Sequence, residues 1–172
     1  AIWIAGHCTV AIFPTVNRKT ASYVLEHSEA KLIFIGKLDL PDWKEIREGL
    51  NDIPRIGFAQ APEDEYEKWD DIIAKTEPLS GNPERKAEDR AIIIYTSGST
   101  GTPKGVAHGF GPMSVSAEGM VRELKLNSSD RCLSYLPLAH VFERAYIECT
   151  SFISRGHIFF AESLDTFVQD LQ

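Results

Sequence analysis

The stretch whose residue types can do chemistry is Thr96-Ser97-Gly98-Ser99-Thr100-Gly101-Thr102, closed by Pro103-Lys104-Gly105. Glycines let backbone N–H groups come close to an anion, hydroxyls add donors without bulk, and Lys104 supplies a full positive charge. Pro103 fixes one φ angle and removes a donor, which stiffens the loop just before the lysine. The same composition is found in flexible linkers. What favours phosphate is the preceding run Ala91-Ile92-Ile93-Ile94-Tyr95, apolar and β-branched, as suits a buried strand. Spacing excludes two familiar loops. A P-loop needs Gly, four residues, then Gly-Lys-Ser/Thr, whereas Pro103 precedes Lys104 here. The dinucleotide pattern G-x-G-x-x-G is not supplied by Gly98 and Gly101.

The elements that must position this loop read as alternating helices and strands. Residues 1–7 resemble a helix end stopped by Gly6, followed by a strand Thr9–Phe13 and Pro14. Thr20 is placed to cap a helix with Ala21, Val24 and Leu25 on one face, leading to the strand Lys31–Ile35. Asp42 is placed to cap a second helix carrying Trp43, Ile46 and Leu50, and Arg55–Ala59 reads as a weaker strand. Trp69, Ile72 and Ile73 mark a short amphipathic segment, before a polar connection with Pro78, Gly81 and Pro83. This is where the least order is expected.

Beyond the loop, Val106–Phe110 suits a short strand, and Gly109, Gly111 and Pro112 a turn. Pro112 at a first helical position suits the long helix that follows, with Met113, Ala117, Met120, Val121 and Leu124 along one side. Asn127–Asp130 reads as a turn, Cys132–Leu136 as a strand ended by Pro137, Val141–Ser154 as a helix, and His157–Phe160 as a strand. Leu164–Gln172 looks like the start of a further helix. The alternation predicts an α/β fold with a largely parallel sheet and flanking helices. Three segments are expected: a first α/β segment at 1–59, an acidic connection at 60–90, and residues 91–172 carrying the chemistry.

Composition is globular, at 43% hydrophobic and 25% charged over 172 residues, which suits about one domain. Net charge is −7, against the basic patch that nucleic-acid binding needs. Residues 61–90 hold ten acids and five bases, which reads as a solvated acidic face. Cys8, Cys132 and Cys149 are odd in number and far apart, as for reduced and mostly buried thiols of a cytosolic protein. No apolar run approaches a membrane span, so any membrane contact is expected to be peripheral or to lie outside this segment. The scattered His7, His27, His108 and His157 show no zinc-ligand spacing, and no structural metal is expected. There is no G-x-S-x-G to mark a hydrolase nucleophile, and the neighbours Asp70 and Asp71 point to different sides of a helix. The opening on Ala1 rather than Met predicts a piece of something longer.

Tyr95-Thr-Ser-Gly-Ser-Thr-Gly-Thr-Pro-Lys-Gly105 resembles the phosphate-loop signature of the AMP-forming adenylating enzymes, the family of acyl-CoA synthetases, luciferases and peptide-synthetase adenylation domains. Leu133-Ser-Tyr-Leu-Pro-Leu-Ala-His140-Val-Phe-Glu-Arg144 resembles the next family motif as found in long-chain fatty acyl-CoA synthetases. The resemblance implies part of the large N-terminal AMP-binding domain of a cytoplasmic ligase. It also implies ATP, Mg²⁺ and coenzyme A as cofactor and cosubstrates, with a fatty acid activated to an acyl-adenylate and then to a thioester. On it, Thr96, Ser97, Gly98, Ser99, Thr100, Gly101, Thr102 and Lys104 would cradle the phosphates, and His140 would contact the adenylate.

From the residues alone, His140 follows a strand end, where α/β sheets usually bind ligands, or is a half-buried histidine satisfied by backbone. Glu143 and Arg144 are spaced to lie on the His140 side of a helix or to pair with each other. In some long-chain relatives of this family an aromatic gate stands where Arg144 is, leaving Phe142 and Tyr146 to line a tunnel. The later aromatic-Gly-x-Thr-Glu motif and the C-terminal catalytic lysine lie outside these residues, so the piece alone should not turn over. Two other readings stay open: a non-catalytic nucleotide- or polyphosphate-binding module, and an adenylating enzyme for another carboxylic acid.

Overall fold

The computed structural model describes residues 1–50, 52–81, 83–96, 101–163 and 166–171. In chain order the first elements are β1 (Thr9–Ala11), α1 (Arg18–His27), β2 (Ile33–Ile35), α2 (Leu40–Arg47), β3 (Arg55–Gly57), β4 (Glu67–Lys68) and α3 (Trp69–Lys75). After them come β5 (Arg90–Thr96), β6 (Lys104–Gly109), α4 (Phe110–Leu124), β7 (Arg131–Ser134), a π-helical stretch Glu143–Glu148, α5 (Cys149–Ser154), β8 (His157–Phe160) and α6 (Phe167–Asp170). They form two compact units: Ala1–Phe13 with Glu84–Ile94 and Gly105–Gln172, and Pro14–Pro83 with Tyr95–Lys104.

The first unit is built on β5. It pairs in parallel with β1, Thr9 opposite Ile92 and Ala11 opposite Ile94, and β6 is hydrogen-bonded on its other side. Ala91 and Ile92 are wholly buried, and burying a side chain such as Ile92 is worth about 1.5–3 kcal/mol. The entry turn is fastened to the same strand. His7 N–H donates to Ile2 O and Gly6 N–H to Trp3 O, with Gly6 at φ +88°, so Gly6 closes the turn as the sequence predicts. Trp3 Nε1–H then donates to Ala91 O at 2.7 Å.

Gly109 ends β6 and α4 begins at Phe110, so Phe110-Gly111-Pro112 are the first turn of the helix, which starts two residues before Pro112. Phe110 N–H donates to Asp89 O and Gly111 N–H to Ala87 O, so carbonyls of the 86–89 turn satisfy donors that a helix N-terminus leaves unpaired. Pro112 lacks an N–H where none is needed. Of the predicted face, Ala117 is wholly buried, while Leu124 is exposed. β7 and β8 pair in parallel over all four residues, and the helical segment between them makes the crossover a parallel pair requires.

The second unit holds a parallel sheet β2-β3-β4, with α1 and α2 packed on each other. Ala21, Val24 and Leu25 are buried as predicted, but the cap of α1 is Asn17, whose side chain accepts from Thr20 N–H at 2.9 Å. Thr20 is the donor there, three residues into the pattern. Similarly, α2 begins after Asp39 rather than at Asp42, with Pro41 in its first turn and no side-chain cap. Trp43 is buried and donates to Asp64 Oδ2, a carboxylate that Arg47 also meets at 3.2 Å. In α3 the apolar positions divide: Trp69 joins Phe34 and Phe58, whereas Ile73 is exposed.

The α/β class and the parallel pairings agree with the sequence. Among the described residues the strands, most of three or four residues, are distributed over three small sheets. Among the described residues no helix is long and apolar enough to cross a membrane. Three helices end on non-glycine residues in the left-handed region: Glu29 at φ 53°, Lys125 at φ 54° and Arg155 at φ 61°. At the end of α4, Lys125 N–H bonds Arg122 O and Leu126 N–H bonds Val121 O, the pairing in which glycine normally sits. Lys125→Gly is therefore expected to stabilise the chain by about 0.5–1 kcal/mol in urea denaturation, once the unfolded-state entropy of glycine is set against the left-handed cost. An unchanged or lower midpoint would mean that the lysine side chain outweighs its backbone.

Candidate functional site

The loop's foundations come from β5 and β6, which face each other across it in one sheet. Ser97, Gly98, Ser99 and Thr100 lie outside the described residues. Thr96, Gly101, Thr102 and Lys104 are described, and all four belong to the second unit. Gly101 has φ +80°, and a Cβ there would meet nothing within 4 Å. The demand for glycine is thus conformational rather than steric, and open space lies beside the backbone. Thr96 and Lys104 end and begin their strands, both exposed, so the hydroxyl and the ammonium are accessible.

Just before the loop, the Tyr95 hydroxyl lies 2.7 Å from His27 Nδ1, a partnership across 68 residues that spacing did not reveal. Tyr23 completes the cluster, stacked on His27 at 5.3 Å and edge-on to Tyr95 at 6.5 Å. Burial pushes the Tyr95 phenol above its ordinary value, Tyr23 adding to the effect and Ser28 opposing it.

In the other unit, His140 N–H donates to Pro137 O at 2.8 Å, so Pro137-Leu-Ala-His140 is a tight turn. Phe142 N–H donates to His140 Nδ1 at 3.2 Å. An Nδ1 that accepts carries no proton, so the neutral ring keeps its hydrogen on Nε2. His140 is half-buried. The structure thus shows the half-buried histidine satisfied by backbone, with Nε2 outside that bond.

The helix expected over Val141–Ser154 is π-helical over Glu143–Glu148. Hydroxyls take up its carbonyls: Thr150 Oγ1–H bonds Tyr146 O, with Ile147 O at 3.2 Å, and Ser151 Oγ–H bonds Glu148 O at 2.7 Å. Glu143 and Arg144 do not pair with each other. Arg144 pairs with Glu148 and lies 5.8 Å over the Trp3 ring, while Glu143 is wholly buried and neither oxygen has a hydrogen-bond partner among the described residues. Phe142 and Tyr146 do come together, ring centroids 5.1 Å apart. All three cysteines are free, but only Cys149 is buried; burial pushes its thiol up to about 11, Glu148 adding and Arg144 opposing. A thiol so protonated is no nucleophile at neutral pH.

The model of the family described as AMP-binding enzyme matches residues 1–172, the whole chain. The chain belongs to the AMP-binding enzyme family. Among curated members, long chain acyl-CoA synthetase 4 of Arabidopsis thaliana is 29% identical over 175 residues, covering 88% of this chain and 25% of that protein. The peroxisomal long chain acyl-CoA synthetase 7 of the same plant is 52% identical over 60 residues, 35% of this chain and 9% of that one. This AMP-binding chain therefore spans about a quarter of the length of the curated relatives that it matches over most of its residues. The anthranilate CoA ligase AuaEII, solved with anthranoyl-AMP, superposes with a TM-score of 0.81 over 97% of this chain and 33% of its own, at 22% identity, which establishes a shared fold.

Within this AMP-binding chain, the buried carboxyl group of Glu143 is the costliest polar feature described, because removing such a group from water without a partner is unfavourable. Replacement by an apolar side chain of similar length tests whether it is uncompensated. Glu143→Met is expected to leave stability unchanged or to raise it by about 1 kcal/mol or more in urea denaturation. A loss of about 3 kcal/mol would instead mean that the carboxyl group has a partner whose removal is felt.

Proposed function

We propose that this chain is the phosphate-binding part of an ATP-dependent long-chain fatty acid–CoA ligase of the AMP-forming type. The observation that carries the reading is the loop Thr96–Gly105, which succeeds a buried strand and holds a glycine at positive φ beside open space. Its specificity for fatty acids is supported by the relatives named long chain acyl-CoA synthetases and by the Leu133–Arg144 stretch. In the proposed reaction a carboxylate oxygen bonds the α-phosphorus of ATP and the bond to pyrophosphate breaks. The thiol of coenzyme A then displaces AMP from the acyl carbon, giving the thioester.

A fatty carboxyl group of ordinary pKa, about 4.3, is ionised at neutral pH, so the first step needs no general base. It needs positioning, and neutralisation of charge on the leaving pyrophosphate. Backbone N–H groups at and around Gly101, with the hydroxyls of Thr96, Ser97, Ser99, Thr100 and Thr102, supply donors, and Lys104 supplies charge. Gly98 is assigned with them, as a second place where backbone meets phosphate. His140 offers Nε2–H to an oxygen of the acyl carboxylate or the adenylate. Mg²⁺ would accompany the nucleotide's phosphates and neutralise their charge.

Calorimetric titration with pyrophosphate and with ATP, each with Mg²⁺, tests the reading. Binding by the chain is expected, with loss of roughly ten-fold or more in affinity for a Gly98→Val, Gly101→Val variant whose circular dichroism is unchanged, since a β-branched side chain is strained at φ +80°. A variant that binds as well as the natural sequence would overturn the assignment of the loop. Binding that discriminates against ATP in favour of bare polyphosphate would favour a polyphosphate-binding module over a ligase.

A further inference from the structure

We propose that His27 is a positioning residue for the loop, fixing through Tyr95 the strand end from which Thr96–Gly105 departs. The proposal rests on the phosphate-loop reading only for its consequence in binding; the anchor itself stands on geometry. Tyr95 is the last buried residue of β5, 9% exposed, and the described loop residues begin at its C-terminal side. Its hydroxyl reaches His27, the last residue of α1, at 2.7 Å. The helix is in turn held by Ala21, Val24 and Leu25, all 3% exposed or less, and its C-terminus is closed by Ala30 N–H to Leu25 O. A ring attached to a rigid helix therefore grips the side chain next to a segment whose residue types favour no single conformation.

The direction of the bond comes from acidity. A phenol is a stronger acid than a neutral imidazole N–H, and a ring nitrogen is the stronger base, so Tyr95 O–H donates to Nδ1. Tyr23 restricts both rings, lying stacked on His27 and edge-on to Tyr95. His27 is otherwise exposed, with no burial to explain a histidine at this place, whereas the acceptor does. The arrangement explains why the buried part of the strand ends on tyrosine: the ring fills the core as an aliphatic side chain would, and the hydroxyl adds a fixed point.

The test compares His27→Ala, Tyr95→Phe and His27→Asn, the last keeping an acceptor close to the place of Nδ1. Amide hydrogen exchange of the 172-residue chain is read at Thr96, Gly101, Thr102 and Lys104, with pyrophosphate affinity in the presence of Mg²⁺ beside it. Exchange at these amides is expected to quicken about ten-fold in His27→Ala and Tyr95→Phe, as for the loss of one hydrogen bond, and to return towards the natural rate in His27→Asn. The double variant His27→Ala, Tyr95→Phe should be no worse than either single one, since both remove the same bond. Pyrophosphate affinity should fall several-fold in parallel while the urea midpoint moves little. Unchanged exchange at the four amides, or His27→Asn behaving as His27→Ala, would overturn the anchor. Altered exchange in a chain that binds no pyrophosphate would sustain the anchor and refute the phosphate reading.

Discussion

The parallel pairing of β5 on β1 is the constraint on which the rest depends. Its register places Ile92 opposite Thr9 and Ile94 opposite Ala11, and it buries Ala91 and Ile92 completely. The entry turn is tied to it through Trp3, and the 86–89 turn that leads into it also holds the first N–H groups of α4. A strand so fixed delivers its end to one place. The described loop residues Thr96 and Lys104 lie at the ends of the two flanking strands.

Much of this is legible because one physical signal dominates locally. The run Ala91–Tyr95 has the length and branching of a buried strand, and the apolar spacing of Ala21, Val24 and Leu25 marks the inner face of α1. Other features are not written in spacing. Glycine is the sequence signal for a helix stop, but Glu29, Lys125 and Arg155 take that role here at φ above 50°, so three helix ends carry no mark. The two-residue strand β4 has too few residues for any alternation to show. The cap of α1 is ambiguous in sequence because Thr20 and Asn17 are both capping residues, and only the direction of the bond between them decides.

The candidate site divides in the same way. Its residue types are legible, since phosphate chemistry needs donors, charge and freedom from side chains, and Thr96–Lys104 holds all three. Spacing does not reveal the partnerships made across the fold. His27 meets Tyr95 over 68 residues, and the His140 ring is oriented by a backbone N–H that any residue at 142 other than proline would supply. Likewise, Glu143 and Arg144 do not meet: Glu143 is buried, and Arg144 pairs with Glu148 four residues on, a spacing that helices favour.

Membership of the AMP-binding family and the geometry of β5 and its loop meet in one claim, that residues 96–104 receive the phosphates of a nucleotide. The most direct measurement is a two-dimensional amide NMR titration of the chain with ATP and Mg²⁺. The expected result is a saturable set of shifts at Thr96, Gly101, Thr102 and Lys104, shared with pyrophosphate. Saturable shifts that leave these four amides still and fall instead on other basic residues, such as Arg18 and Lys19 at the start of α1, would contradict it.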